Sequence, residues 1–333
     1  MEVLVTGGAG YIGSTVCSAL LDAGHTPVIL DSLITGREEF TGGRVFYKGD
    51  IADEPLIAKI ISEHPRIECA IHLAALIVVP DSVADPYEYY RENVSKSLNF
   101  FNSLISNGVR KVVFSSSASM YGDSPDFVVT ESSPLSPKSP YAKTKFIVET
   151  ILEDFCAAYD FKAISLRYFN VIGADPRLRT GLQNRSPSHI LGKLVSVADG
   201  TLDKVTITGV GWPTRDGTGI RDYIHVWDLA CAHVLAVERF DKAVSAFGSD
   251  YAPINLGCGA GVTVKEIIAA FEKTYGQKIA QDTAPPRAGD VAGAYASAAR
   301  AAELLGWKAE LTIEDGIKDA LKWGAARKSI LGY

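Results

Sequence analysis

The chain has 333 residues, of which 47% are hydrophobic and 22% are charged, and its 33 basic and 39 acidic residues give a net charge of −6. These values are typical of a globular protein and exclude a disordered or fibrous chain. Because the chain is acidic and has no long run of Lys or Arg, we exclude nucleic acid and anionic membranes as partners. No stretch approaches the ~20 apolar residues of a membrane span.

Short apolar runs alternate with longer amphipathic segments in the first half of the chain. The predicted strands are 2–6, 26–30, 44–48, 69–73, 111–115 and 163–167. The predicted helices between them are 13–23, 54–63, 85–107 and 142–159. This alternation, with strands rich in Val, Ile and Leu, predicts an α/β fold with a doubly wound parallel sheet of the Rossmann type.

The alternation stops after residue 167. Residues 171–220 are rich in Gly, Pro, Asp, Arg and Thr, with one helical stretch at 189–198. Residues 221–240 regain a strand-plus-helix pattern and are predicted to return to the sheet, while 262–276 and 312–327 are predicted helices. We therefore expect a cofactor domain of residues 1–170 and about 222–257, and a smaller C-terminal α/β substrate lobe of residues 171–221 and 258–333.

A glycine-rich turn follows the first strand. Gly7, Gly10 and Gly13 form the pattern G-x-x-G-x-x-G where this strand meets the next helix. Such a turn lets a pyrophosphate approach the backbone and the free N–H groups of a helix N-terminus. We therefore predict a dinucleotide cofactor bound by the three glycines together with Tyr11 and Ile12.

Acidic residues follow the second and third strands. Asp31 stands eighteen residues after Gly13, at the end of the second strand. A carboxylate there accepts hydrogen bonds from the ribose hydroxyls and repels a 2′-phosphate, which favours NAD over NADP. Asp50 and Ile51 follow the third strand and are predicted to hold the adenine edge.

A tyrosine and a lysine stand four residues apart at the start of the predicted helix 142–159. Tyr141 and Lys145 share one helix face. The ammonium, together with the positive charge of an oxidised nicotinamide, is predicted to lower the pKa of the tyrosine from its usual ~10 toward neutrality. Tyr141 is then a candidate base for a sugar hydroxyl, and Ser117, at a strand end, is predicted to hold the same oxygen. Tyr-x-x-x-Lys pairs are common by chance, so the interpretation depends on their combination with the glycines.

These motifs resemble those of the extended short-chain dehydrogenases/reductases and, among them, the UDP-glucose (UDP-galactose) 4-epimerases. The resemblance covers nearly the whole chain and is most specific at Tyr168-Phe169-Asn170 and at residues 216–223, Asp-Gly-Thr-Gly-Ile-Arg-Asp-Tyr. It implies an NAD-dependent isomerase that inverts C4 of a UDP-hexose through a 4-keto intermediate. It also implies a homodimer joined through helices near 85–107 and 142–159. Since the N-terminus lacks the pattern of a signal peptide, we expect a cytoplasmic protein.

The resemblance also implies which residues contact the ligands. For the cofactor it adds Leu73, Ala74, Ala75, Asn93, Ser115, Tyr141, Lys145 and Tyr168. For the substrate it implies Ser117, Ser119, Tyr141, Phe169, Asn170, His189, Ile190, Thr206, Thr208, Arg221, Tyr223, Arg287, Asp290 and Ala294. Asn170, Arg221 and Arg287 are implied to hold the UDP, which agrees with the preference of guanidinium groups for phosphate oxygens. Asp290 is implied to bind the uridine ribose.

The chain departs from the family pattern at two places. After the fourth predicted strand the family commonly has Phe-Ala-Gly-Leu-Lys, whereas this chain has Leu-Ala-Ala-Leu-Ile at 73–77 and therefore lacks the lysine. Near the uridine phosphates the family often has asparagine before a leucine, whereas this chain has His189 and Ile190. We predict that His189 replaces the asparagine as a hydrogen-bond donor.

One position bears on substrate width. In the family, the residue seven positions after the uridine-binding arginine faces the 2-substituent of the sugar, where a tyrosine excludes N-acetyl sugars and a small residue admits them. Counting from Arg287 gives Ala294, with Tyr295 directly after it. We therefore predict turnover of UDP-GlcNAc and UDP-GalNAc as well as the plain hexoses, although a shift of one residue would reverse this conclusion.

Other functions are less compatible with the sequence. A nucleotide-sugar 4,6-dehydratase needs an acid and a base near the end of the fifth strand, and a UDP-glucuronate decarboxylase usually has a glutamate there, whereas residues 117–119 are Ser-Ala-Ser. A non-catalytic NAD-sensing module tends to lose the Tyr/Lys pair. A UDP-glucuronate 4-epimerase or another nucleotide-sugar epimerase stays open.

The cysteines and histidines predict no metal site. The five cysteines include no C-x-x-C pair and most stand in apolar runs, which is typical of buried free thiols in a reducing compartment. The six histidines do not cluster at metal-ligand spacing.

Overall fold

The computed structural model describes residues 1–122, 124, 126–286 and 290–333. The strands in these ranges are β1 (Glu2–Thr6), β2 (Thr26–Asp31), β3 (Val45–Lys48), β4 (Ile67–His72), β5 (Lys111–Ser115), β6 (Val128–Val129), β7 (Lys162–Tyr168), β8 (Asn170–Ile172), β9 (Val205–Thr208), β10 (Ile220–Arg221), β11 (Tyr223–His225), β12 (Tyr251–Leu256), β13 (Val262–Thr263), β14 (Gln281–Ala284) and β15 (Tyr295–Ala296). The helices are α1 (Tyr11–Asp22), α2 (Glu54–Glu63), α3 (Val79–Ala84), α4 (Pro86–Tyr90), α5 (Lys96–Ser106), α6 (Pro140–Ala158), α7 (Ile190–Ala198), α8 (Val226–Glu238), α9 (Phe240–Phe247), α10 (Val264–Tyr275), α11 (Ala299–Leu305) and α12 (Ile313–Leu331).

Seven parallel strands form the central sheet, in the order β12-β7-β5-β4-β1-β2-β3. Side chains of β1 alternate between its two faces, with Val3 and Val5 in one buried core and Leu4 in the other. Helices α1 and α8 cover the first face and α2, α5 and α6 cover the second. The predicted fold class is therefore confirmed. The strand order reverses between β1 and β4, the place where sheets of this type bind ligands.

The edge strand β12 was not predicted. Its sequence contains Pro253, which has no backbone N–H to donate, and a proline inside an apolar run argues against a strand. In the fold Pro253 is tolerated because β12 lies at the edge and pairs only with β7. The prediction that residues 221–240 return to the sheet was wrong for their strand: β11 pairs with β8 outside the sheet, although Ile224 of β11 and helix α8 pack against the Rossmann core.

The predicted helix 85–107 is divided into α4, a π-helical turn at Arg91–Ser95, and α5. The side chain of Asp85 accepts a hydrogen bond from the N–H of Glu88 and begins α4. The π turn brings the buried side chain of Asn93 inward, toward the loop after β4. Such turns often occur beside functional sites.

The C-terminal elements have a hydrophobic core of their own. Leu194 of α7, Ile207 of β9, Phe271 of α10 and Ile317 of α12 belong to this core. The exact limits of the two lobes stay a prediction. None of the helices in the described part of the chain is both long and apolar enough to cross a bilayer.

The cysteines agree only in part with the prediction of buried thiols. Cys17, Cys69 and Cys156 are buried and free, as expected. Cys231 is half-buried, and Cys258 is exposed. Cys258 follows β12 in a loop, so the apolar residues before it in the sequence do not cover it.

Candidate active site

A cleft of about 1080 Å³ lies at the carboxyl ends of the parallel strands, and a pocket of about 110 Å³ adjoins it in the C-terminal lobe. The predicted cofactor residues that line the cleft are Gly7, Gly10, Tyr11, Ile12, Gly13, Asp31, Asp50, Ile51, Leu73, Ala74, Ala75, Ser115, Tyr141, Lys145 and Tyr168. The predicted substrate residues that line the cleft or the pocket are Ser117, Ser119, Tyr141, Phe169, Asn170, His189, Ile190, Thr206, Thr208, Arg221, Tyr223, Asp290 and Ala294. Arg287 lies outside the described residues. The cleft is large enough for a dinucleotide.

The glycine-rich turn fits a pyrophosphate. Gly7 has a left-handed φ of 70°, and a Cβ at this position would lie 2.8 Å from the N atom of Ala74. A Cβ at Gly13 would lie 2.1 Å from the carbonyl oxygen of Gly7, so a side chain would force the helix away from the strand. Helix α1 begins after Gly10 without a side-chain cap, which leaves the N–H groups of its first turn available for an anion.

Two carboxylates stand at the nucleotide end of the cleft. The Asp31 side chain is held by the N–H of Ala9 at 2.9 Å and the N–H of Leu33 at 2.8 Å, which fixes its carboxylate at the cleft wall. Asp50 forms an ion pair with Lys96 at 2.5 Å. Burial alone would raise the pKa of Asp50. Hydrogen bonds from Lys96 and from the backbone N–H of Ala52 nevertheless hold this pKa below its usual value.

The three predicted catalytic residues lie together at the other end of the cleft. Tyr141 is in the first turn of α6, and Ser117 is within hydrogen-bonding reach of its phenol. Ser117 also shares a hydrogen bond of 2.8 Å with the hydroxyl of Ser119. The ammonium of Lys145 donates to the carbonyl oxygen of Ser115 at 2.8 Å and lies 4.8 Å from the ring centroid of Phe114.

Burial controls the ionisation of this pair. It raises the pKa of Tyr141 above its usual value of 10.0, and the hydrogen bond with Ser117 offsets only part of this change. Burial also lowers the pKa of Lys145 to about 7, although the charge of Glu149 opposes it. Among the protein's own groups, burial therefore outweighs the side chain that lowers the pKa of Tyr141, and Lys145 directs its ammonium at the Ser115 carbonyl. The predicted lowering of this pKa, which includes the charge of an oxidised nicotinamide, stays a prediction.

Asn93 lies buried behind the cleft wall, and its predicted contact with the cofactor stays a prediction. Its amide oxygen accepts from the N–H of Leu76 at 2.8 Å, and its nitrogen donates to the Leu76 carbonyl at 2.9 Å and to the Thr144 hydroxyl at 3.1 Å. The buried amide thus shapes the loop after β4 from beneath. Tyr168 is closer to the site, since its hydroxyl is hydrogen-bonded to that of Ser115 at the cleft wall.

The pocket in the C-terminal lobe brings together residues from distant parts of the chain. Asn170 begins β8, His189 precedes α7, and Arg221 ends β10. The Arg221 guanidinium donates to the carbonyl oxygens of Ile220 at 2.7 Å and of Ala292 at 3.0 Å, which holds it at the pocket wall. Asp290 lies on the same wall. A cation, an amide and an imidazole therefore converge on a space that suits a phosphate-bearing ligand.

The imidazole of His189 presents one defined nitrogen. Its Nδ1 accepts a hydrogen bond of 3.2 Å from the N–H of Gly192 and thereby caps α7. Burial and the nearby charge of Lys193 lower the pKa of His189 to about 4, so the ring is neutral and carries its hydrogen on Nε2. Nε2 is buried and has no hydrogen-bond partner among the described residues. His189 is therefore equipped to donate, as predicted for a replacement of asparagine.

Ala294, and not Tyr295, faces the cleft. Ala294 packs beside Ala118, Tyr121 and Phe169 in the wall near Tyr141. Tyr295 begins β15, and its side chain points away from the cleft toward Gly261. Its ring is so close to this glycine that a Cβ there would lie 2.5 Å from the ring. Successive residues of a strand face opposite sides. The residue at the cleft wall is therefore the alanine, and its contact with the 2-substituent of the sugar stays a prediction.

The sequence reasoning missed the loop at 182–188 that lines the nucleotide end. The side chain of Gln183 donates to the carbonyl oxygen of Thr35 at 2.9 Å, and the Arg185 guanidinium lies 3.9 Å from the ring centroid of Tyr333. The Tyr333 hydroxyl accepts from Arg37 at 3.0 Å. These contacts join three segments that are remote in the sequence, and no local pattern signals them.

Comparison with known proteins agrees with this geometry. Residues 3–255 match the NAD dependent epimerase/dehydratase family. The UDP-glucose 4-epimerase of Bacillus subtilis is 39% identical, over 100% of this chain and 99% of that protein. The solved structure of the UDP-glucose 4-epimerase of Bifidobacterium longum, in complex with NAD+ and UDP, is 36% identical and superimposes with a TM-score of 0.92 over 100% of both chains. The UDP-Glc/GlcNAc 4-epimerase of Campylobacter jejuni is 34% identical, with a TM-score of 0.81 over 97% of this chain and 99% of that one.

The fold, the arrangement of the cleft and the full-length similarity agree. The chain therefore belongs to the NAD dependent epimerase/dehydratase family and, within it, is similar over its whole length to UDP-glucose 4-epimerases.

Proposed function

We propose that this protein is an NAD-dependent 4-epimerase of UDP-hexoses that interconverts UDP-glucose and UDP-galactose. The observation that carries the proposal is one continuous cleft, in which the Tyr141–Ser117–Lys145 centre lies between a dinucleotide-binding turn and a pocket with Asn170 and Arg221. Relatives of this chain are UDP-glucose 4-epimerases along their full length, and one was solved with NAD+ and UDP.

Tyr141 acts as the base that takes the proton from the 4-hydroxyl of the sugar and later returns it. Ser117 holds the same oxygen beside the phenol. Lys145 places a positive charge next to the ribose side of the cleft. NAD bound by the glycine-rich turn and Asp31 would supply hydride transfer from and to C4 of the sugar, with no net redox change. Asn170, His189 and Arg221 hold the diphosphate and leave the sugar free to turn. Binding energy from a part of the substrate remote from the reacting carbon thus keeps the intermediate in the site.

Incubation with a panel of nucleotide sugars tests this function. We expect the purified protein to convert UDP-galactose to UDP-glucose and to act on UDP-GlcNAc, because the wall at Ala294 is set back. UDP-glucuronate turnover without turnover of UDP-galactose would instead support the glucuronate 4-epimerase alternative. NMR of the recovered sugars distinguishes these outcomes.

Replacement of Asp31 by Ala is expected to strip the cofactor. Because the reaction returns its hydride, tight retention of NAD does not slow turnover, and we expect wild-type protein to be purified with NAD(H) bound. Asp31→Ala removes the carboxylate that meets the ribose, so the bound NAD(H) released by denaturation and measured by absorbance should fall several-fold. Asp53→Ala, which removes a carboxylate that caps α2 away from the cleft, is the matched control. Wild-type retention by Asp31→Ala, or release of NADP, would contradict the assignment.

We further propose that the protein forms a homodimer in the cytoplasm. Two helices on one side of the sheet leave large apolar side chains exposed: Leu98 on α5 and Phe146 on α6, at 40% and 37% exposure. A second copy packed through these helices would cover them, as the resemblance implies. Sedimentation equilibrium is expected to give the mass of a dimer. The five free cysteines support a reducing compartment.

A further inference from the structure

A buried ion pair lies directly behind the acid–base centre, and no step described above uses it. Glu149 stands on α6 one turn after Lys145, and Arg167 is the penultimate residue of β7. Both side chains are only 5% exposed. Charges are buried at such depth only when they are paired and hydrogen-bonded, so this pair is a built feature of the fold.

The carboxylate of Glu149 is fully engaged. It accepts from Arg167 Nε at 3.0 Å and 3.1 Å and from Nη2 at 2.5 Å. The hydroxyl of Ser116 donates to its Oε1 at 2.5 Å, and the hydroxyl of Tyr251 donates to its Oε2 at 2.7 Å. Donors on β7, on β12 and in the residue that follows β5 therefore hold one carboxylate of α6 in one orientation.

Ser116 gives this carboxylate its connection to the reaction. It stands between Ser115, whose carbonyl accepts from Lys145, and Ser117, which meets the phenol of Tyr141. Through its hydrogen bond with Ser116, Glu149 therefore holds α6 against the segment at the end of β5. The two neighbours of Ser116 in this segment make the contacts with Lys145 and Tyr141. A displacement of α6 relative to this segment would therefore break the Lys145–Ser115 and Tyr141–Ser117 contacts together.

The other partner of the pair reaches the wall of the sugar pocket. Arg167 Nη1 donates to the hydroxyl of Tyr121 at 2.9 Å, and that hydroxyl donates to Oδ1 of Asn255 at 2.7 Å. The Tyr121 ring packs with Ala118 and Ala294 at the cleft. The same ion pair therefore anchors both the acid–base centre and the surface against which the sugar turns.

Glu149 also supplies negative charge behind Lys145. Tyr141 stands one turn before Lys145 on α6, and His72 of β4 is close enough for the charge of Lys145 to act on it. Tyr168 and Arg167 belong to β7, the strand that neighbours β5. Burial and the charge of Lys145 lower the pKa of His72 to about 3, so His72 is neutral, and burial raises the pKa of Tyr168. Glu149 is the group whose charge raises the pKa of Lys145 against the effect of burial.

We propose that Glu149, held in place by Arg167, is the positioning residue of the acid–base centre: it sets Ser117 against Tyr141 through Ser116 and places a negative charge one helical turn from Lys145. Glu149 touches neither substrate nor cofactor and acts only through these neighbours. The proposal rests on the proposed 4-epimerase function, but its electrostatic part is measurable without any substrate.

The first test is a titration of Lys145. Protein labelled with [ε-13C]lysine is titrated by NMR, and the Lys145 resonance is assigned by its loss in Lys145→Met. We expect a pKa near 7 in the wild type and a shift to lower pH by about half a unit or more in Glu149→Gln, because the stabilising negative charge is gone. Ser116→Ala keeps the ion pair and should titrate like the wild type.

The second test separates charge from position in the kinetics. In Glu149→Gln we expect kcat for UDP-galactose to fall about tenfold or more, with KM changed less than about twofold, and the basic limb of the pH profile to move to lower pH. Ser116→Ala should also lower kcat but leave the basic limb where it is. Protein that retains its circular dichroism and bound NAD shows that the variant is folded.

Loss of folding does not leave the question open. If Glu149→Gln fails to fold because Arg167 keeps an unpaired charge, the double variant Glu149→Gln/Arg167→Gln buries a neutral pair. It should show the same fall in kcat, because the carboxylate that holds α6 to Ser116 is again gone, and a smaller shift of the Lys145 titration, because a positive charge is removed as well. A folded variant without Glu149 that shows wild-type titration of Lys145 and wild-type kcat overturns the proposal. If the wild type does not turn over UDP-galactose, the 4-epimerase function fails, while the NMR titration still decides whether Glu149 controls Lys145.

Discussion

Replacing Tyr141 with Phe is expected to reduce turnover of UDP-galactose by ~10²–10⁴-fold, the range typical for removal of a general base. The substitution keeps the ring in the first turn of α6 and removes the phenol beside Ser117. Because this phenol lies at the opposite end of the substrate site from Asn170 and Arg221, the affinity for UDP should stay nearly unchanged. Steady-state kinetics and calorimetry with UDP measure the two quantities.

A second tyrosine provides the control for this experiment. Tyr47 lies on β3, outside the cleft, and its hydroxyl is hydrogen-bonded to His64 at 3.0 Å. Tyr47→Phe removes the same atom and should leave turnover unchanged. Near-normal turnover by Tyr141→Phe would require another base and would discard the mechanism.

Replacing Ala294 with Tyr is expected to abolish turnover of UDP-GlcNAc and to spare UDP-galactose. Ala294 is only 5% exposed and packs beside Tyr121 and Phe169, so a phenol ring must project into the space for the 2-substituent of the sugar. Overpacking of a fitted site costs about 1–3 kcal/mol, which is enough to discriminate an acetamido group from a hydroxyl by roughly 10–100-fold or more. The measurement is the ratio of kcat/KM for the two substrates.

Ala294→Ser is the matched control, because serine adds one small atom at the same position and should keep both activities. Wild-type protein that epimerises UDP-galactose but ignores UDP-GlcNAc at millimolar concentration would contradict the role assigned to Ala294. Loss of both activities in Ala294→Tyr, with a lowered melting temperature, would show that the wall itself had collapsed.

The sequence predicted those parts of the fold that depend on local patterns. The bounds of β1 and β5 agree with the prediction because each strand has three consecutive apolar residues between polar ends. The bounds of α2 agree because Asp53 provides a recognisable cap. Where a tertiary contact overrides a local signal, prediction failed. Pro253 is accepted in β12 only because that strand has a single neighbour, which no local pattern reveals.

The candidate site shows the same division. Tyr141 and Lys145 could be found from their spacing, and Ser117 from its place at a strand end. The contribution of burial to the pKa of Tyr141 could not be found from the sequence, because it depends on how deeply the fold places the phenol. The ion pair of Glu149 and Arg167 joins residues 18 positions apart on different elements and is visible only in the fold.

The tracing of hydrogen at C4 tests the central claim most directly. UDP-glucose carrying deuterium at C4 is incubated with the purified protein, and the UDP-galactose formed is analysed by NMR and mass spectrometry. An epimerase that removes and returns the same hydride through NAD gives UDP-galactose with the deuterium still at C4, also in ordinary water. Product that has lost the deuterium to solvent, or the absence of any UDP-galactose, would contradict the account.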